Sequence, residues 1–340
     1  MPAQRVATGR PQRRPTLADV ARTAGVSPAL VSMVLSGRPG PSAATAARII
    51  EVADGMGYRP DRAASVLARR HTGQIGVTLT TSNPYHGTVV EEILGRAHDA
   101  GYEVVLSPMS PRYDYRESLE TLVNSRCEAL ILLNPQMSGQ AIAKLVAGTP
   151  TVCMGRALAG AAGVDVVRTD DAAALDLLVG HLHELGHRRI AHVDGGEQPL
   201  TAERAKGYSE AMVRRGLRPL VLTGGETPDQ GAAAVAHFAG TLPFTAVIAF
   251  NDLAAVGILD QLMRNGFHVP DDVSVAGIDD DWITGVAAID LTTVDPGPLE
   301  QARICVDLAL ERLTGERTRR VTRVVEPKLV VRASTAAPRS

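Results

Sequence analysis

The chain has 340 residues, 45% of them hydrophobic, which is too long for one ordinary domain and ample for two or three with real cores. Its net charge of −2 is unevenly spread: residues 1–71 hold eleven arginines against Asp19, Glu51, Asp54 and Asp61, a balance of +7, while the remainder holds 24 basic against 33 acidic residues, or −9. A basic head on an acidic body is the footprint of a polyanion binder with a second function elsewhere. No stretch approaches the ~20 apolar residues of a membrane span, and the Arg- and Pro-rich residues 1–15 lack the apolar core of a secretory leader.

Residues 1–15 read as a disordered basic arm. From Thr16 the pattern turns helical. Leu17, Val20, Ala21 and Ala24 fall at i, i+3, i+4 and i+7, one apolar stripe of a short helix. Gly25 ends it, since glycine takes the left-handed conformation without steric cost. Ser27 caps a second helix with Pro28 at its first position. Its inner stripe is Val31, Val34 and Leu35, and Pro28, Ala29, Ser32 and Met33 face out. Ser42 caps a third helix with Ala46, Ile49, Ile50 and Ala53 inside. Two short helices joined by a Gly-containing turn form a helix-turn-helix, whose second helix can lie in a DNA major groove. This head spans residues 16–60.

After the break at Gly57-Tyr58-Arg59-Pro60, Asp61 to Arg69 is a short helical candidate with Ala63, Ala64 and Leu67 at close spacing. Nine residues are too few to hold a helix alone. With the linker Arg69 to Gly73, this makes a hinge segment over 61–73. From Gln74 strands alternate with helices. The strands are QIGVTLT, YEVVLSP, EALILLN, PTVCMG, RRIAHVDG, LRPLVLTGG, TAVIAFN, VSVAGID and KLVVRAST. The helices are Val89–Ala100, Arg116–Ser125, Ala141–Ala147, Asp170–Leu185, Ala202–Arg215, Gln230–Phe238, Asp252–Asn265 and Leu299–Leu313. Such alternation means parallel sheets covered by helices on both faces. Two such units form a body over 74–340 with a cleft between them. The first lobe is read as 74–158 with a crossing through 241–290, the second as 159–240 with 250–335. The switch is placed near Arg156 to Ala161, the returns near Gly240 and Asp290.

Two further patterns carry possible chemistry. His183-Glu184-Leu185-Gly186-His187 matches the H-E-x-x-H string of zinc peptidases, which needs both histidines on one helical face. Gly186 stands where the helix should end, so His187 is expected to point elsewhere. No metal site, no catalytic residue and no cofactor are expected. Of the run Asp279-Asp280-Asp281, one functional aspartate among solvated ones is expected, because consecutive residues do not converge on a cation. The odd trio Cys127, Cys153 and Cys305, each in an apolar context, reads as buried thiols in a reducing cytoplasm.

The strings LADVARTAGVS, VSMVLSG and GYRPDRAASVLA, with IGV at Ile75 to Val77, together resemble the lac repressor/galactose repressor family of bacterial transcription regulators. The likeness runs from about Thr16 to Thr335. It implies a small all-α helix-turn-helix head joined by a hinge helix to a two-lobed α/β, periplasmic-binding-protein-like body with parallel sheets. It implies DNA contact at Thr16, Ser27, Pro28, Ala29, Ser32, Met33, Arg38, Ser42, Arg59, Ala64 and Leu67. Leu67 matches the leucine that wedges into the minor groove when two subunits order their hinges on operator DNA. Pro28, Ala29 and Met33 are apolar and cannot make the bidentate hydrogen bonds that read guanine or adenine. Ser27, Ser32, Ser42 and Arg59 would position the head on phosphates.

For the effector, the resemblance points to Arg204, Asn251 and Asp279. A guanidinium fork and a carboxylate can bracket vicinal hydroxyls. Tyr85 and His86 would close the site from the other lobe. The loop before Gly231 lacks the aromatic that sugar readers of the family often place there, and Trp282 is read as a substitute stacking face. The function these features imply is a cytoplasmic, dimeric, ligand-responsive transcription regulator. It is expected to be a repressor of pseudo-palindromic operator DNA that senses a sugar or similar polar metabolite. A purine- or nucleoside-responsive regulator of the same type is the alternative, and a plain solute-binding protein lacks a use for the +7 head. No apolar heptads follow Thr335, so a dimer is expected over a tetramer.

Overall fold

A computed structural model of the protein describes residues 15–35, 39–59, 71–110, 112–238 and 240–339. The chain divides into two compact units at Thr72/Gly73. In the first unit, α1 (Leu17–Ala24), α2 (Pro28–Leu35) and α3 (Ala43–Gly55) follow one another closely. Each begins on a hydroxyl cap. Thr16 and Asp19 form a reciprocal capping box, the Ser27 Oγ accepts from the Leu30 N–H at 3.2 Å, and the Ser42 Oγ accepts from the Thr45 N–H at 3.3 Å. Gly25 closes α1 at φ +65°. The core joins Val20, Ala21 and Ala24 to Val31 and Val34, and to Ile49, Ala53 and Tyr58. Ile50, expected inside, is 46% exposed. Ile49 and Ala53 set the inner line of α3, and Ile50, about 100° further round, points to solvent. Arg38, Ala64, Leu67 and the expected hinge helix at 61–69 lie outside the described residues.

In the second unit, the first lobe is a parallel sheet ordered β11-β5-β4-β3-β1-β2 among the described residues. Its strands are β1 (Gln74–Thr80), β2 (Glu103–Met109), β3 (Ala129–Leu133), β4 (Thr151–Met154), β5 (Val164–Thr169) and β11 (Thr322–Val325). Every residue of β3 is buried, and its side chains alternate between two cores. Ala129, Ile131 and Leu133 face α4 (Pro84–Asp99) and α11 (Pro298–Leu313), while Leu130 and Leu132 face α5 (Tyr115–Asn124) and α6 (Gly139–Leu145).

The second lobe repeats the plan. A parallel sheet ordered β7-β6-β8-β9 is built from β6 (Ile190–Val193), β7 (Val221–Leu222), β8 (Ala246–Ile248) and β9 (Ser274–Ala276). Helices α7 (Asp171–Glu184) and α8 (Thr201–Arg214) cover one face, and α9 (Pro228–Val235) and α10 (Asp252–Arg264) the other. An antiparallel pair, β10 (Thr293–Asp295) with β12 (Lys328–Val330), adjoins it through a bridge from Ala276 to Thr292.

The lobes therefore exchange chain at 169–171, 295–298 and 325–328, not near Arg156–Ala161, Gly240 and Asp290 as expected. Gly240 lies between α9 and β8, both in the second lobe. Strand β5, absent from the expected strands, carries the first crossing past Arg156–Ala161. Asp165 interrupts its apolar run, yet that carboxylate is fully buried. It accepts four bonds of 2.9–3.0 Å from Arg312 and Arg317 and one of 2.8 Å from the Val321 N–H. Burial works against ionisation there, but the arginine bonds prevail and hold the carboxyl below its ordinary range. The three crossings are laced together. The Asp170 N–H donates to Val325 O at 3.2 Å, the Thr169 hydroxyl to Pro296 O at 3.0 Å, and the Gln301 amide to both Thr169 Oγ1 and Pro296 O.

Candidate effector cleft and DNA-binding face

The carboxyl ends of both parallel sheets open onto one cleft with about 740 Å³ of free space, counting its mouth. This is where an open α/β sheet offers a ligand site, because loops and helix N-termini converge there. From the first lobe, Thr80, Asn83, Tyr85, His86, Asn134 and Arg156 reach it. From the second come Gln198, Arg204, Glu226, Phe250, Asn251 and Asp279, with Thr169, Asp171 and Gln301 at the crossings. Across the mouth the Gln136 amide donates to the Gln198 Oε1 at 3.1 Å.

Tyr85 and His86 sit on the first turn of α4, which begins five residues before the expected start. Asn83 caps the helix and Pro84 occupies its first turn, so the loop after β1 is short. His86 is buried, and its Nδ1 accepts from the Thr80 N–H at 2.8 Å. The ring proton is therefore on Nε2, and the Asn134 amide, whose Nδ2 stands 3.4 Å away, accepts it when turned over to bring its otherwise unpartnered oxygen there. Burial lowers the His86 pKa to about 4, so the ring is neutral at physiological pH. The Tyr85 hydroxyl lies 3.5 Å from the Gln301 Nε2, and burial raises its pKa well above the ordinary value.

Arg204, only 7% exposed, projects from the first turn of α8. Its Nε donates to Asp171 Oδ1 at 2.9 Å, its Nη1 to the Phe250 carbonyl, and its guanidinium lies 4.7 Å from the Phe250 ring centroid. Much of the expected fork is thus held by the protein, which fixes where the remaining donors point. Asn251 caps α10 through Ala254 and donates to the Glu226 carbonyl at 3.1 Å.

Asp279 follows β9 at φ +132° and Asp280 at φ +49°, two successive residues in a region that L side chains rarely adopt. The turn separates the three carboxylates. Asp279 faces the cleft, Asp280 pairs with Arg332 at 2.6 Å, and Asp281 is buried rather than solvated as expected. The first residue of α10, Asp252, lies below. It accepts from the Thr293 hydroxyl at 2.6 Å and the Asp281 N–H at 2.9 Å, and burial lifts its pKa to about 7. Burial, reinforced by Asp252, Asp281 and Asp171, also lifts Asp279, against the pull of Arg204.

Trp282 is a correction. It is 72% exposed and does not line the cleft, because the single helical turn Trp282–Gly285 carries it outward. Asn134, Arg156, Asp171, Gln198, Glu226, Phe250 and Gln301 were missed. Most stand in the first residues after a strand, so a reading that took every strand's carboxyl end in turn would have found them. Helix α7 ends at Glu184, Gly186 turns at φ +106°, and the buried His187 bonds Thr245 Oγ1, Ser274 Oγ and Ala336 O with its two nitrogens. The two histidines of the H-E-x-x-H string do not share a helical face.

In the head, Pro28, Ala29 and Ser32 are exposed on one side of α2 and Met33 is half-buried beside them. Thr16, Ser27 and Ser42 stand at the starts of the three helices, where free N–H groups and the helix dipole favour anions. Arg59 is exposed. Comparison with known proteins matches residues 16–61 to "Bacterial regulatory proteins, lacI family" and residues 179–335 to "Periplasmic binding protein-like domain". The chain is 31% identical to the HTH-type transcriptional regulator CelR of Thermobifida fusca, over 95% of this chain and 99% of that one.

The chain belongs to the lacI family of bacterial regulatory proteins.

It is an HTH-type, ligand-responsive DNA-binding transcription regulator. A solved LacI transcriptional regulator from a Rhodococcus species is 39% identical, with a TM-score of 0.74 over 78% of this chain and 98% of that one. A complex of the regulator CelR with cellobiose is 28% identical, with a TM-score of 0.69 over 94% of this chain and all of that one. No helix among the described residues is long and apolar enough to cross a membrane.

Proposed function

We propose that this regulator is a non-enzymatic, cytoplasmic repressor that binds pseudo-palindromic operator DNA as a homodimer and is controlled by a sugar in the cleft. The convergence of Arg204, Asn251 and Asp279 from one lobe with Tyr85 and His86 from the other carries the reading. These are polar groups facing each other across a joint, so a hydroxylated ligand touching both walls changes the free energy of lobe closure and, by linkage, operator affinity. The likeness to a regulator solved with cellobiose supports the ligand class. The purine alternative is the less favoured, since one of the two faces of Phe250 already carries the Arg204 guanidinium. On DNA, Thr16, Ser27, Ser32, Ser42, Arg38 and Arg59 would hold phosphates, and Ala64 and Leu67 of the hinge would bear on the minor groove. Leu67 would carry much of the discrimination that Pro28, Ala29 and Met33 cannot.

The test is a thermal-shift screen of saccharides and nucleosides on the full chain, followed by selection of its DNA site from a random pool with and without each hit. A ligand at 100 times its Kd adds about 2.7 kcal/mol of stability. A saccharide is expected to raise Tm and to change affinity for the selected site. A nucleoside that does both while every saccharide fails would refute the reading.

A further inference from the structure

The two walls of the cleft differ in charge. The first lobe contributes one charged side chain, Arg156, which spends its Nε and Nη2 on the backbone carbonyls of Pro135 and Met137 at 2.8 and 2.6 Å. The second lobe and the adjoining crossing contribute Asp171, Glu226 and Asp279 against Arg204 alone. Arg204 is already bonded to Asp171 and is the cation opposed to Asp279, so it answers for two carboxylates at once. Glu226 has neither. Its backbone is pinned from both sides, the N–H by Gln230 Oε1 at 3.1 Å and the carbonyl by Asn251 Nδ2 at 3.1 Å. Its half-buried carboxylate has no ion-pair partner among the described residues. Burial raises its pKa. A half-buried carboxylate on the wall of a ligand cleft, with its backbone pinned and no ion pair of its own, offers an entering cation a partner.

We propose that the ligand carries a cationic amine and that Glu226 is the residue that selects it. The effector class is then an amino sugar or a similarly hydroxylated amine, with the ammonium seated against Glu226 and the hydroxyls bracketed by Arg204 and Asp279. Phosphorylated and acidic saccharides are disfavoured, since their charge would meet the acidic wall. The inference rests on the saccharide reading above and narrows it.

The experiment is isothermal titration calorimetry on the full chain at pH 7 with glucose, glucosamine, galactose, galactosamine, cellobiose and glucose 6-phosphate, in wild type and Glu226→Gln. Glutamine keeps the backbone contacts of the loop and removes only the charge. The expected result is that an amine-bearing sugar binds at least ~10-fold tighter than its hydroxyl counterpart, a difference of about 1.4 kcal/mol. In Glu226→Gln that ratio should fall toward one. Equal binding of amine and hydroxyl partners, a preference that survives in Glu226→Gln, or tightest binding of the phosphate overturns the inference and leaves the saccharide reading standing. Heat from none of the six sugars overturns both.

Discussion

The two lobes of the body share a plan, with a parallel sheet, two helices on each face and the carboxyl ends toward the cleft, yet they prepare their walls in opposite ways. The first lobe buries its one great concentration of charge away from the cleft, where Asp165 receives Arg312 and Arg317, and presents side chains that, Arg156 apart, are neutral, and that are bonded inward, as with His86 on the Thr80 N–H and Arg156 on the Pro135 and Met137 carbonyls. The second lobe brings its charges to the cleft, where Asp171, Arg204, Glu226 and Asp279 line the wall and Asp252 lies beneath. The difference separates two tasks. A wall that is neutral and internally bonded fixes shape, because its donors and acceptors are already assigned. A wall with surplus carboxylate selects chemistry, because its electrostatics are completed only by what enters.

If charge in the first lobe is architectural, removing it should unfold rather than desensitise. Asp165→Ala takes the carboxylate from the largely buried Arg312 and leaves Arg317 with Glu311 alone, and breaking such a buried pair costs about 3–5 kcal/mol. Chemical denaturation of the body should show that loss, and a loss below about 1 kcal/mol would break the contrast. In the second lobe the largest effect should fall on ligand instead. Asp279→Ala is expected to weaken saccharide binding by about 2–5 kcal/mol, read by calorimetry with the best binder of the six sugars. Unchanged affinity would remove Asp279 from the site.

The neutral wall has its own signature in pH. The folded-state pKa of His86 is depressed, to about 4 against an ordinary 6.5, so between those values the unfolded chain takes up a proton that the native state refuses. Its contribution is therefore full above pH 6.5 and is lost as pH falls toward 4, on the order of 3 kcal/mol. The stability gap between wild type and His86→Gln should shift by that amount, in favour of the variant, as pH falls over that window. A gap independent of pH would mean that His86 is not held neutral. The smallest effect belongs to Asn251, which caps α10 as well as bracing Glu226. Asn251→Ala should cost about 1 kcal/mol of stability and Asn251→Ser, which keeps a capping oxygen, a few tenths. Both should weaken ligand binding, because both release the Glu226 carbonyl. If Asn251→Ser binds ligand as wild type does, the brace has no role.

The parts of this molecule that depend on near neighbours were legible in its residues. The helices of the head follow from Ser27, Ser42, Gly25 and the stripe Leu17, Val20, Ala21 and Ala24, since caps and stripes act within a turn or two of the chain. The alternation of strand and helix, and Arg204, Asn251 and Asp279 at strand ends or helix starts, were legible for the same reason: a parallel sheet puts its loops in one place whatever its details. What spans the fold was not. The partners of Asp165 lie 147 and 152 positions away, so nothing near it in the chain marks 164–169 as a strand of the first lobe, and the switch was placed before it. Whether Ile50 or Trp282 faces solvent depends on what packs beside it, and whether Glu226 has a counter-charge depends on which arginines the finished cleft has already engaged. Burial and charge balance are sums over neighbours that only the folded chain brings together.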